Sequence, residues 1–142
     1  MDKNSDFYTL KGYQLIENAR ITSSMEDYLE MICRMLQTRE FVRINELAEM
    51  LHVKPSSASK MVNHLKLSDL VTFEKYGYIK PTVKGYSAGE YLLYRHDVLH
   101  ELLCFINGSE NELEQVEKIE HFLNKKTIDN MKAMMTKIKP IF

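Results

Sequence analysis

Apolar residues recur at helical spacing along most of the chain and give way to a short extended stretch near its middle. Met25, Tyr28, Leu29, Ile32 and Leu36 fall at i, i+3, i+4, i+7 and i+11, the spacing of one buried helix face. Ser23, with Glu26 three positions on, has the form of a capping box, so a first helix is expected from Ser23 to about Gln37. Thr38-Arg39-Glu40 is a polar break, and residues 41–44 read as a short extended stretch. Asn45 is placed to cap a second helix over residues 46–51. His52-Val53-Lys54 turns the chain, and Pro55 suits the first position of a third helix, where its missing N–H costs nothing. That helix carries Ala58, Met61, Val62 and Leu65 on one face and Ser56, Ser57, Ser59, Lys60 and Asn63 on the other.

Residues 70–74 and 78–80 read as two strands joined by a turn at Lys75-Tyr76-Gly77. A short helix, a tight turn and a second helix with a small, polar, basic face form the helix-turn-helix pattern, and the hairpin after it is the wing of a winged helix. Thr82 is expected to cap a long fourth helix with small residues at 85, 88 and 89, ended near Ile106 by Asn107-Gly108. A fifth helix is expected over about residues 110–123 and a sixth from Thr127 past Met135. The expected fold is mainly α. An N-terminal arm and a winged helix-turn-helix with a two-stranded wing occupy 1–81, and an all-helical domain occupies 82–142. Within the arm, residues 7–10 read as a short strand broken by Gly12, and residues 13–19 as a helical turn or two. The arm carries too many aromatics for a free tail, so it is expected to pack on the body.

A length of 142 residues, 44% hydrophobic and 27% charged, describes a globular chain of one domain, or of two small ones sharing a core. Two cysteines and no secretory leader or apolar span argue against a disulfide scaffold and a membrane anchor, so the expected location is the cytoplasm. The net charge of −1 hides an asymmetry: residues 53–84 hold six lysines against Asp69 and Glu74, while residues 97–121 hold seven acids against Lys118. One region suits a polyanion and another suits cations. A helix such as the third fits the major groove of duplex DNA. Its early hydroxyls at Ser56, Ser57 and Ser59 suit phosphates, Lys60 and Asn63 suit base edges or flanking phosphates, and Lys75 and Lys80 of the wing suit phosphate. His52 and His64 read as surface or packing residues.

Within the acidic region, Glu117, Glu120 and His121 stand at i, i+3 and i+4, so on one helix all three lean over the same face. Asp27 and Glu30 stand at i, i+3 on the first helix, and His96 lies on the fourth. Two imidazoles and four carboxylates, if brought together, make a cation site. If not, they are solvated faces with ordinary ion pairs to Arg34, Arg95 or Lys118. Cys33 and Cys104 read as small apolar residues, and Met131, Met134 and Met135 as a helix–helix interface.

Ser24-Met25-Glu26-Asp27-Tyr28-Leu29-Glu30, then the stretch from Pro55 through Met61-Val62, then Tyr94-Arg95-His96, then Val116-Glu117-Lys118-Ile119-Glu120-His121, together resemble the diphtheria-toxin-repressor family of metal-dependent regulators, most of all its manganese-transport-repressor branch. The resemblance covers about residues 23–135. It implies that Asp27, Glu30, His96, Glu117, Glu120 and His121 bind a pair of divalent cations. Iron-type relatives place a Met and a Cys where this chain has Asp27 and Glu120. A sulfur-free set suits a hard cation such as Mn²⁺, with Fe²⁺ open, and selectivity over Zn²⁺ has to come from geometry. Larger members of the family carry a third, SH3-like domain, which this chain has no room for, and residues 1–22 have no counterpart in it.

The function expected is that of a homodimeric, Mn²⁺-responsive repressor that binds a double-stranded DNA operator, controls metal-uptake genes, and has no membrane or small-molecule substrate. Two other readings stay open. One is a winged-helix regulator that senses a small molecule or a protein without metal. The other is a two-metal hydrolase, for which a wing and a basic recognition helix serve no purpose.

Overall fold

A computed structural model describes residues 21–138 and, apart from them, Thr9; the side chain of Lys75 is outside that description. The expectations for the arm therefore lie outside the described residues. Among the described residues, six α-helices and one hairpin follow in the expected order: α1 Ser23–Met35, α2 Ile44–Leu51, α3 Pro55–Leu67, β1 Val71–Phe73, β2 Ile79–Pro81, α4 Val83–Asn107, α5 Leu113–Ile119 and α6 Lys125–Ile138. No described helix is long and apolar enough to cross a membrane.

The ends of the helices differ in part from the expected ones. The cap of α1 is Thr22, whose hydroxyl accepts from the N–H of Met25 at 3.1 Å, so Ser23 already lies inside the helix and Glu26 is released from a capping box. The second helix starts one residue before Asn45, with Arg43 extended ahead of it and no side-chain cap. Asn124 rather than Thr127 heads α6, its side-chain oxygen accepting from the N–H of Thr127. Pro55 opens α3, and Thr82 caps α4 through the N–H of Gly85, both as the residue types require. Gly108 ends α4 at φ 60°, a left-handed position that glycine adopts at no steric cost.

The wing is an antiparallel pair in the register Val71↔Pro81, Thr72↔Lys80 and Phe73↔Ile79. Val42 adds a bridge to Ile79, which ties the wing to the segment ahead of α2. The turn between the strands places Tyr76 at φ 71° and Gly77 at φ 77°.

Among the described residues, two apolar clusters form the core. The first joins Leu29 and Ile32 of α1, Leu47 of α2, Val62 and Leu65 of α3, the wing residues Val71 and Ile79, and Leu92 of α4. The second joins Val98, Leu99 and Leu103 of α4 to Val116 of α5 and Ile128 of α6. One long helix thus contributes to both. Its start is pressed close: a Cβ on Gly85 would stand 1.9 Å from the carbonyl oxygen of Leu70, and one on Gly89 would stand 2.2 Å from Cys33 Sγ. Cys33 is accordingly a buried packing residue, whereas Cys104 is half-buried with Sγ 3.5 Å from His100 Nε2. The close approach of α1 and α4 sets Glu30 opposite His96.

Candidate metal centre

The six residues singled out in the sequence converge where α1, α4 and the end of α5 meet. One ligand atom each from Glu30, His96, Glu117 and Glu120 lies within 4.8 Å of the others, and the same holds for Asp27, Glu120 and His121. Glu120 belongs to both groups. His96 Nδ1 stands 3.2 Å from Glu120 Oε2, 3.3 Å from Glu117 Oε1 and 3.8 Å from Glu30 Oε2. His121 Nε2 stands 2.9 Å from Asp27 Oδ1.

The local structure around Glu120 corrects the single helical face expected for Glu117, Glu120 and His121. The α-helix stops at Ile119, whose φ is −116°, and Glu120–Phe122 form a 3₁₀ turn. The tighter turn sends Glu120 inward, where it is fully buried against His96 and Arg95, and sends His121 toward the start of α1. A continuous α-helical face, leaning one way, would not serve both neighbours.

Burial and mutual charge shape the titration of the cluster. Glu30 is pushed up to about 7, first by desolvation and then by the charge of Glu120. His96 is raised to about 10 by its hydrogen bonds to Glu117 and Glu120, and His121 to about 10 by those to Asp27 and Glu26. The bond from His96 holds Glu117 below the usual carboxylate range. Protons on the two imidazoles therefore balance part of the acidic charge. They do not satisfy it all: Glu30 Oε1 and Glu120 Oε1 are buried with no hydrogen-bond partner. A buried carboxylate oxygen without a donor is costly, and a cation is one group that would satisfy it. The donor set fits a hard divalent ion, with oxygen and imidazole nitrogen and no thiolate.

A cleft of about 530 Å³ lies beside this cluster; Asp27, Glu30, His96 and Glu117 line it, together with Met50 and His52 from the end of α2. Of the ion pairs weighed as the plain alternative, Arg34 reaches Glu30 at 3.4 Å and Arg95 comes within 3.8 Å of Glu120, whereas Lys118 turns to Glu114. Glu26 and Arg95 join the rim of the cluster; the sequence offers Arg95 only as an ion-pair partner and Glu26 only as part of a cap. Glu26, taken there for a cap, sits 2.8 Å from His121 Nδ1 and 3.3 Å from Arg95, and Arg95 is only 3% exposed. Nothing in their spacing marks them, because both contacts join residues far apart in the chain.

On the other side of the first cluster, α3 buries Ala58, Val62 and Leu65 and exposes Ser56, Ser57, Ser59, Lys60 and Asn63. Lys80 is exposed on β2, and Lys75 opens the turn of the wing. His52 and His64 are both exposed, as surface residues. Arg43, outside the set chosen from sequence, is exposed ahead of α2 and donates to the Tyr78 hydroxyl at 3.0 Å, beside the wing.

Residues 20–79 match the family described as iron dependent repressor, N-terminal DNA binding domain. The chain is similar to the HTH-type transcriptional regulator MntR of Oceanobacillus iheyensis, 39% identical over 119 residues that cover 83% of this chain and 81% of the relative. In fold it is similar to the crystal structure of the metal-dependent transcriptional regulator MtsR, with a TM-score of 0.73 at 23% identity, covering 79% of this chain and 53% of that one. It is also similar to a manganese-dependent transcriptional repressor in complex with manganese, with a TM-score of 0.71 at 24% identity, covering 79% of this chain and 52% of that one. The chain thus spans about half the length of these two solved structures. With MntR matched over four fifths of its length and the repressor domain matched over the helix-turn-helix and most of the wing, the chain belongs to the iron-dependent, or diphtheria-toxin, repressor family of helix-turn-helix transcriptional regulators.

Proposed function

We propose that this regulator is a metal-dependent transcriptional repressor that binds duplex DNA when divalent cations, Mn²⁺ in the first place, occupy the cluster of Asp27, Glu30, His96, Glu117, Glu120 and His121. The observation that carries the reading is the convergence of these six side chains from three separate helices, with two carboxylate oxygens buried and without donors. Glu30, His96, Glu117 and Glu120 would hold one ion and Asp27, Glu120 and His121 a second, with Glu120 shared. A bound divalent cation supplies positive charge that opposes the mutual repulsion of the four carboxylates. Ion pairing alone leaves Glu30 Oε1 unexplained and gives Glu120 Oε1 only the Arg95 guanidinium at 3.8 Å, beyond hydrogen-bond reach.

The protein's own residues convert occupancy into DNA affinity. Asp27 and Glu30 belong to α1, which packs on α2, α3 and α4. Glu117, Glu120 and His121 belong to the segment packed against the second half of α4. Drawing the acids of α1 toward the imidazoles and acids of the later helices fixes the pose of α3, which bears Ser56, Ser57, Ser59, Lys60 and Asn63. In a two-fold dimer, only one such pose sets two recognition helices about one turn of DNA apart. Metal then raises DNA affinity, and DNA raises metal affinity by the same factor. Exposed Ile106, Leu113, Phe122 and Met134, all within the later helices or their connections, supply apolar surface for the dimer. In this reading residues 1–81 carry DNA recognition and 82–142 carry metal binding and dimerisation.

The set contains no sulfur, and Asp27 and Glu120 favour Mn²⁺, with Fe²⁺ the nearest competitor. The test measures affinity for duplexes recovered by selection from a random-sequence pool, as a function of free Mn²⁺, Fe²⁺ and Zn²⁺. The expected result is DNA binding that requires metal and is lost in His96→Ala. Binding to the same duplexes unaffected by chelation would refute the reading.

A further inference from the structure

Glu26 stands next to the six residues of the cluster without being one of them. Its place in the first turn of α1 suggests a helix cap, yet Thr22 performs that role. Both of its carboxylate oxygens are instead engaged by side chains. Arg95 holds them in a fork, NH1 to Oε2 at 3.3 Å and NH2 to Oε1 at 3.4 Å, and Oε1 also lies 2.8 Å from His121 Nδ1. Two nearly parallel N–H···O bonds from a planar guanidinium fix a carboxylate in orientation as well as position. The guanidinium is itself fixed, since Arg95 is buried on α4 and its NH2 lies 3.8 Å from Glu120 Oε1.

His121 Nδ1 has two neighbours, Glu26 Oε1 at 2.8 Å and Arg95 NH2 at 3.3 Å. Only the carboxylate can accept, and it is the closer. The proton on Nδ1 is therefore committed to Glu26. When the ring is neutral, its lone pair is then on Nε2, the nitrogen that faces Asp27 at 2.9 Å. Which imidazole nitrogen binds a metal is set by the hydrogen bond made by the other.

We infer that Glu26, braced by Arg95, is a positioning residue for the metal centre: it holds the Nδ1–H of His121 so that Nε2 is presented to a cation beside Asp27 and Glu120. This rests on the metal-binding reading of the cluster. It assigns Glu26 no ligand role, and it places the effect chiefly in the group that contains His121.

The test uses the full chain and two readouts other than repression. The first is the imidazole ¹⁵N spectrum of the protein loaded with diamagnetic Zn²⁺. The expected result is His121 protonated at Nδ1 and ligated at Nε2, with the Nδ1 proton protected from exchange; ligation through Nδ1 would overturn the inference. This readout needs no variant. The second is a Mn²⁺ binding isotherm followed by the paramagnetic resonance of the free ion. Glu26→Ala should weaken binding at the His121 group about 10- to 100-fold, the usual cost of losing an outer hydrogen-bond partner. The His96 group should change far less, since it shares only Glu120 with the His121 group. Glu26→Gln keeps an acceptor oxygen for both His121 and Arg95, so it folds with the guanidinium still bonded and should recover most of the affinity. If His121→Ala weakens binding while Glu26→Ala overlays wild type, the positioning role is refuted and the metal site stands. If neither His96→Ala nor His121→Ala changes binding, the metal site itself is refuted.

Discussion

Nε2 of His121 lies 2.9 Å from Oδ1 of Asp27, and this contact joins the turn after α5 to the first half of α1. Asp27 rides on the helix that packs under the recognition helix α3, while His121 follows a helix anchored in the second apolar cluster.

On the proposed metal-binding reading, proton competition should set the pH dependence of metal affinity. His96 and His121 are raised to about 10 without metal, so at neutral pH each is protonated and must release a proton before its nitrogen can ligate. Apparent Mn²⁺ affinity should therefore rise steadily between about pH 6 and pH 8. A calorimetric titration at several pH values checks this, and a flat affinity would count against imidazole ligation.

The same groups fix how the metal-free fold responds to pH. Histidines whose folded pKa is raised stabilise the fold fully below their unfolded value, and that contribution is lost as pH rises through about 10. Glu30, raised to about 7, acts in the same sense from the ordinary carboxylate range upward. The melting temperature of the metal-free protein should therefore fall as pH rises from about 6 to about 9, and added Mn²⁺ should offset the loss. A melting temperature that rises over this range would contradict the assignment.

Metal preference should respond to Asp27. Asp27→Met exchanges a hard anionic ligand for a soft neutral one, so DNA affinity measured against free metal should shift from Mn²⁺ toward Co²⁺, a stable stand-in for Fe²⁺. His121→Ala should weaken activation by every metal, since it deletes a ligand without altering the hardness of the rest. Mn²⁺ and Co²⁺ curves for Asp27→Met that coincide with wild type would remove Asp27 from the ligand set.

Gly89→Ala should loosen the centre from a distance. Its new Cβ would stand 2.2 Å from Cys33 Sγ, forcing apart the helices that carry Glu30 and His96. Overpacking of this kind costs about 1–3 kcal/mol, read in a denaturant midpoint, and Mn²⁺ affinity should fall with it. Adding Cys33→Ala removes the sulfur and should restore part of both.

Contact of α3 with DNA should show in the salt dependence. Lys60 is exposed on the recognition helix, and Lys60→Ala should lower affinity for any duplex and reduce the slope of log affinity against log salt by about 1. An unchanged slope would remove Lys60 from the phosphate contacts.

The helical stripes, Pro55 and Thr82 at helix starts, and Gly108 at a helix end were legible because each depends on residues within a turn or two. The ends set by Thr22 and by Arg43 ahead of α2 were not. Several polar residues stood close enough to compete for each cap, and packing of the whole helix chose among them. Glu26 was misread for the same reason, since its partners Arg95 and His121 lie on other elements.

The identities and spacings of Asp27, Glu30, His96, Glu117, Glu120 and His121 are properties of the sequence, and so is the hardness of the donor set they form. What the tertiary structure decided is that they meet, and how. The close approach of α1 and α4 at Gly89 brings Glu30 to His96. The 3₁₀ turn after Ile119 separates Glu120 from His121, so that one carboxylate is shared between two groups. Helical periodicity is a local property that a linear pattern records. The closeness of two helices, and the break that ends a third, depend on buried contacts among residues far apart in the chain, which no single stretch of sequence contains.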